Sequence, residues 1–280
     1  MLADVYRLPR ASWTKLRADA GLLGRLVPDD EALDLCRRVG WLAHVDDHAR
    51  LRRVEALARG GVPANDVERR ESLMLGYQLV NESPKLMAAE AVAPWLHARP
   101  TLCAELREVS AFLAERTALP DEVRPVADWP LVLHRHYSRR EILTACGVWN
   151  ERRKVPHQQG VERIQEQRRE LLFVTLDKTD SGFSPSTRYR DYAISAERFH
   201  WETQNAVAAG SKRAQHYANH VRDGWQVHLF VQLRKGAPFA YVGPVVHEAQ
   251  EGSRPVQIIW RLEHALPAAL LSEYRTLVSG

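Results

Sequence analysis

The segment ALPDEVRPVADWP, residues 118–130, carries three prolines and separates two incompatible hydrophobic periods. Upstream, from about Ser12 to Leu119, apolar residues recur at three- and four-residue spacing, the signature of helices that bury one face. Downstream, ELLFVTLDK is a compact apolar run of strand length, and VHLFVQLR and VQIIWRL alternate with a period of two. A chain that changes period in this way is expected to be α+β, with an all-α helical bundle over residues 1–125 and a mixed, barrel-like sheet with flanking helices over residues 126–280.

Punctuation sharpens the helical half. EALDLCRRVGWL ends near Gly40, and HARLRRVEALARGG stops at Gly60 and Gly61, where glycine can take the left-handed cap conformation. Asp46 and Asp47 precede that second segment and are placed to accept from its first free amides. Segments around Glu68 to Val80, Lys85 to Ala98 and Thr101 to Thr117 repeat the pattern, giving five or six helices. In the second half LVLHRHY reads as a strand, and Ser138 with Glu141 forms a capping-box signature for a short helix ending at Gly147. AYVGPVVH reads as a strand interrupted at Gly243 and Pro244, and SKRAQHYANHVRDG as a helix with Gly224 past its end.

The formal charge of +4 is unevenly spread. Residues 1–130 hold 18 Lys and Arg against 20 Asp and Glu, whereas residues 131–280 hold 21 against 15, with 9 of the 12 histidines. The basic half therefore favours a polyanionic partner. Cys36, Cys103 and Cys146 are far apart and odd in number, which supports neither a disulfide framework nor a zinc ribbon and fits a reducing cytoplasm. The start MLADVYRLPR lacks an apolar leader core, and no run approaches the ~18 apolar residues that span a bilayer, so neither export nor membrane insertion is expected.

Several chemistries lack their residues. There is no GxxxxGK[ST] phosphate loop, no GxSxG elbow, no HExxH, no histidine followed two places on by lysine, and no Glu-x-Lys after a strand carboxylate. His216 and His220 share a face at helical spacing, and His44 lies near Asp46 and Asp47, but neither group has an evident third ligand, and helix capping accounts for the aspartates. No metal or cofactor is expected.

The stretch SPSTRYRDYAISAERFHWETQN, residues 184–205, resists assignment to a core and a wet face. A strand through TRYRDYAIS would put Thr187, Tyr189 and Asp191 on one side and Arg188, Arg190 and Tyr192 on the other, with a ring and a polar group on each. Such inconsistency marks functional sites. Rings can stack on a nucleobase, a carboxylate can accept from an exocyclic amine, and arginines can hold phosphates. A one-residue slip exchanges the two faces, so the wall of any pocket stays open at this level.

The runs LLFVTLDKT, SPSTRYRDYAIS, FHWETQ, VHLFVQLRK, YVGPV and GSRPVQIIWRL, across residues 131–272, resemble a family of uncharacterised domains that end bacterial superfamily II helicases, often ones with a phospholipase-D type nuclease. SWTKLRADAGL and WLAHVDD are similar to the segment that joins motor and terminal domain. In the best understood relatives this is the architecture of ATP-dependent, modification-dependent (type IV) restriction endonucleases, whose terminal domain is similar to the SRA fold, a PUA-like β-barrel that flips a methylated cytosine into a pocket. The resemblance implies a non-catalytic module that recognises double-stranded DNA carrying 5-methylcytosine or a related base. Tyr189, Tyr192 and Trp201 are then expected as walls of the base pocket, Thr187 and Asp191 at the base edge, and His200 as a further pocket residue. Arg188, Arg190, Lys212, Arg213 and Arg254 are expected on phosphates. A superfamily II helicase and nuclease, in cis or in trans, would supply ATP hydrolysis and cleavage. Two competing expectations are a partner-docking module that touches DNA weakly, and a phosphodiesterase using Asp177, Asp191 or the histidines.

Overall fold

A computed structural model describes residues 5, 11–23, 28–80, 87–117, 122–149, 160–177 and 191–276. The chain forms two compact units, residues 1–157 and 158–280. The division falls after the proline-rich segment and leaves the buried Trp129, Leu131, Tyr137, Ile142 and Trp149 on the helical unit's side of it.

The first unit is built from α1 (Trp13–Asp19), α2 (Asp30–Arg38), α3 (His48–Ala58), α4 (Asp66–Val80), α5 (Ala89–His97), α6 (Pro100–Arg116) and α7 (Arg139–Ala145). Their starts follow from capping chemistry: the side chains of Ser12, Asp29, Asp47 and Ser138 each accept from an amide of the first turn. Pro100 begins α6, where its missing N–H costs nothing. A Cβ on Gly76 would lie 2.7 Å from Met87 Sδ and 3.1 Å from Val92, so glycine lets α4 approach its neighbour. LVLHRHY is extended only at His136 and Tyr137. The preceding residues turn instead, and Val132 N donates to Tyr137 Oη (2.8 Å) rather than to a strand ladder.

Among the described residues of the second unit, seven strands form one mixed sheet: β1 (Val161–Ile164), β2 (Arg169–Asp177), β3 (Tyr192–Ala193), β4 (Arg198–Glu202), β5 (Gln226–Arg234), β6 (Phe239–Glu251) and β7 (Gln257–Leu262). Their order is β1-β2-β5-β6-β7-β4-β3, with β2 and β5 parallel and every other pair in that path antiparallel. Among the described strands the sheet is thus a path with β1 and β3 at its ends, and the expected α+β class holds in that form. Gly243 and Pro244 do not interrupt β6. The strand runs for 13 residues and absorbs the irregularity as a shift of register opposite Leu229 and Phe230, with a second near His247. Two helices, α8 (Lys212–Asn219) and α9 (Ala268–Thr276), belong to this unit, and Ala214, Tyr217, Leu270 and Tyr274 from them join the core with Leu172, Val227, Leu229, Trp260 and Leu262. On the other face Phe173, Phe230, Phe239 and Tyr241 form an aromatic ladder with centroids 4.8–5.4 Å apart. Among the described residues no helix is long and apolar enough to cross a membrane.

Candidate nucleic-acid interface

The β3–β4 hairpin resolves the question of faces. Tyr192 lies opposite His200, and Ala193 opposite Phe199. Side chains alternate along β4, so Phe199 and Trp201 point one way and Arg198, His200 and Glu202 the other. Phe199 and Trp201 enter the core. Trp201 is 6% exposed and meets the Tyr217 ring at 5.2 Å edge-on and the Trp260 ring at 6.2 Å. The expected wall Trp201 is therefore a core residue, because its face of β4 is covered by α8. His200 and Tyr192 stack on each other instead, with centroids 4.7 Å apart and planes 16° apart. His200 is buried and Tyr192 partly exposed. Across β7 the same face continues with Ile259 opposite His200 and Arg261 opposite Arg198, whose Nε donates to Glu248 Oε1 (2.9 Å).

Asp191 begins this hairpin, buried, and its Oδ1 accepts from Glu202 N (2.9 Å). The carboxylate thus sits at the end of β4 where the chain turns away. Beyond that point Thr203 N donates to Val256 O (2.9 Å) and Val256 N to Thr203 Oγ1 (2.9 Å). Arg254 N donates to Val207 O (3.1 Å), and Ala209 N to Ser253 Oγ (3.2 Å). These contacts lay the 252–256 turn alongside the 203–211 loop, which ends in the Ser211 cap of α8. Lys212 and Arg213 are the first residues of that helix. Asp191, Arg254, Lys212 and Arg213 are in this way brought to one end of the sheet from three separate stretches of sequence. Thr187, Arg188, Tyr189 and Arg190 lie outside the described residues.

Arg213 is not a free cation. Its Nη2 lies 3.1 Å from Glu170 Oε1, to which Tyr217 Oη also donates (3.0 Å), while His216 Nε2 sits 2.8 Å from Oε2. Glu170, fully buried on β2, anchors α8 to the sheet. Burial opposes its charge, but His216, Arg213 and Tyr217 together hold its carboxyl below the ordinary range. This hub escaped the sequence reading, although a glutamate opening the apolar run ELLFVTLDK needs a buried partner and was a usable signal. The helical pair His216 and His220 separates in the structure: His220 Nδ1 faces Trp225 O (3.1 Å) and its Nε2 accepts from His247 N (3.3 Å). His44, Asp46 and Asp47 separate likewise. His44 Nε2 meets Glu141 Oε2 (2.7 Å), Asp46 Oδ2 meets His136 Nδ1 (2.7 Å), and Asp47 accepts from Arg50 N and Tyr137 Oη. Among the described residues no group of three or more His, Cys, Asp or Glu is placed to hold a metal ion.

Residues 131–274 match a family described as a domain of unknown function, DUF3427. Comparison with curated proteins finds no match.

Proposed function

The chain belongs to the DUF3427 family, and from that premise we propose that it recognises DNA bearing a modified base, most simply 5-methylcytosine, as the target-reading part of a restriction or defence system. The observation that carries this reading is the division of labour on the β3–β4 hairpin. Phe199 and Trp201 serve the core, which leaves the stacked Tyr192 and His200 on the face the core does not use. Tyr192 is the partly exposed member of that pair, backed by the buried His200, and its ring offers a surface on which a base can lie, worth about 1–3 kcal/mol per base. Asp191 stands at the end of the same hairpin, with Lys212 and Arg254 beyond it as exposed cations for the backbone. The seven-stranded bulged sheet is the scaffold on which an SRA-like or PUA-like barrel would be built, and the helical unit corresponds on this reading to a coupler for a helicase supplied in cis or in trans.

Fluorescence anisotropy with matched duplexes, methylated and unmethylated, over a salt series tests it. Preference for the methylated duplex, lost in Tyr192→Ala and His200→Ala, supports the reading, and equal affinity at every salt concentration sinks the modified-base claim. A second reading, a docking module for a motor protein, draws on Trp41, which remains 43% exposed in the helical unit. Capture of a helicase from nuclease-treated extract by wild type but not by Trp41→Ala would favour it.

A further inference from the structure

Between α3 and α4 of the helical unit lies a cleft that none of the above uses. Its α3 wall repeats Ala49, Arg52, Arg53 and Ala56, so that two small residues leave room and two guanidinium groups border it. Glu68 and Glu71 of α4 face them, and Arg124 closes the third side. The pairing in this cleft is uneven. Glu68 is committed: its Oε2 accepts from Ala64 N (2.8 Å) and pairs with Arg53 Nη2. Glu71 has only loose partners, with Arg53 Nε 3.6 Å from one oxygen and Arg124 Nη2 3.7 Å from the other, both beyond hydrogen-bonding distance. Among the described residues Arg52 reaches only Glu122, at 3.9 Å on the rim. Among the described residues neither Arg52 nor Arg124 makes a side-chain hydrogen bond, and the buried Glu71 carboxylate lies beyond hydrogen-bonding distance of both guanidinium groups that face it, those of Arg53 and Arg124.

We propose that this cleft binds a tetrahedral oxyanion of the phosphate type between Arg52, Arg53 and Arg124, with a proton taken up from solvent on Glu71. The charges of three arginines and of the carboxylates of Glu68, Glu71 and Glu122 cancel when all are ionised. Protonating Glu71 leaves guanidinium charge unmatched, and an oxyanion then replaces the carboxylate as acceptor. Burial already pushes the Glu71 carboxyl up to about 7, with Asp47 at the α3 cap and Glu68 adding to the rise and Arg124 and Arg53 opposing it. An anion is thus admitted on the acid side of neutrality and excluded on the alkaline side. The site lies wholly in the helical unit and stands independently of modified-base recognition.

Calorimetric titration of the full chain with sulfate, whose charge is constant over the range, provides the test. Sulfate affinity should fall about tenfold between pH 6 and pH 8, the change in the protonated fraction of a group titrating near 7. Glu71→Gln, a neutral isostere, should remove that dependence and bind at pH 8 as tightly as the wild type does at pH 6. Arg124→Gln should weaken binding about tenfold or more at both values, and Arg52→Gln, at a side chain 67% exposed, provides the same test where folding is not at issue. Absence of sulfate binding at pH 6, binding unchanged by both arginine substitutions, or a flat pH profile in the wild type overturns the proposal. Competition identifies the source: displacement of sulfate by glycerol phosphate alone assigns a small phosphate ester, and displacement by a short DNA duplex assigns a backbone phosphate, either result supporting the oxyanion site.

Discussion

Glu141 and Glu71 are both buried carboxylates of the helical unit, and their surroundings push them in opposite directions. Burial disfavours the charge of each. Glu141 overcomes it: Arg50 at 3.5 Å, His44 at 2.7 Å and the Ser138 amide at 2.7 Å bring its carboxyl down to about 2. Glu71 has two arginines nearby but at 3.6 and 3.7 Å, and its carboxyl rises to about 7. A nearby opposite charge does not set the outcome by itself: Glu141 adds hydrogen bonds from His44 and the Ser138 amide to the charge of Arg50, whereas Glu71 has no such bond to its two arginines and also faces the like charges of Asp47 and Glu68. Glu141 accordingly belongs to the frame of the unit, joining α7 to the start of α3, whereas Glu71 is a group whose charge can change under mild conditions.

The largest way to break this contrast is Glu141→Gln. Arg50 is buried, with a side chain only 4% exposed and lying over the Tyr137 ring at 4.4 Å, so it would lose the carboxylate that favours its charge most and keep the weaker influence of Asp47 and Asp46. A loss of about 3–5 kcal/mol is expected, read as the urea midpoint at pH 7. The sign with pH follows. A carboxyl lowered from 4.5 to about 2 contributes stability that is present above 4.5 and is lost as pH falls toward 2. The acid limb of the wild-type stability profile should therefore shrink in the variant.

Glu170→Gln extends the comparison to the sheet unit and should cost less, about 1.5–3 kcal/mol. Glu170 is as buried as Glu141, but its arginine differs: Arg213 is 42% exposed and can turn to water once its partner loses charge. If the two variants proved equally damaging, the exposure of the cation would not be the deciding quantity. Glu71→Gln should act with opposite sign, stabilising by about 1–2 kcal/mol at pH 8. A carboxyl raised from 4.5 to about 7 contributes stability that is complete below 4.5 and is lost as pH rises through 7, so the gain should vanish in acid. Thermal melts of wild type and variant at pH 4 and pH 8 measure it.

These long-range pairs mark where the sequence stops being legible. Helices at 66–80, 89–97 and 100–116 and strands at 169–177, 226–234 and 257–262 can be read from period and punctuation, because burial of one face imposes the spacing locally. The Ser138–Glu141 capping box is legible for the same reason, both halves lying within one turn. That Glu141 also binds His44, 97 residues away, has no local trace. Trp201 shows the other limit. Alternation places it with Phe199 and against His200, but which set faces the core depends on α8 covering that face. LVLHRHY fails differently: its apolar residues are buried by tertiary packing in a turn, and composition cannot separate that from a strand.

The smallest stability effect is expected where the proposed function is concentrated. Tyr192 contributes a cross-strand ring contact with His200 at the edge of the sheet, is partly exposed, and lies outside the core cluster that holds Phe199 and Trp201. Tyr192→Ala should therefore cost only about 0.2–1 kcal/mol in folding, the range of a single cross-strand pair. Its effect on binding to methylated duplex should be far larger if the ring carries a base, since about 1–3 kcal/mol of stacking corresponds to roughly a fivefold to hundredfold loss of affinity. A residue that served only to hold the hairpin would show the reverse ratio. Measuring both quantities on the same preparation separates the two roles: intact melting with lost methyl preference assigns Tyr192 to the interface, and a lowered melting temperature with proportionate loss of all DNA binding assigns it to the scaffold.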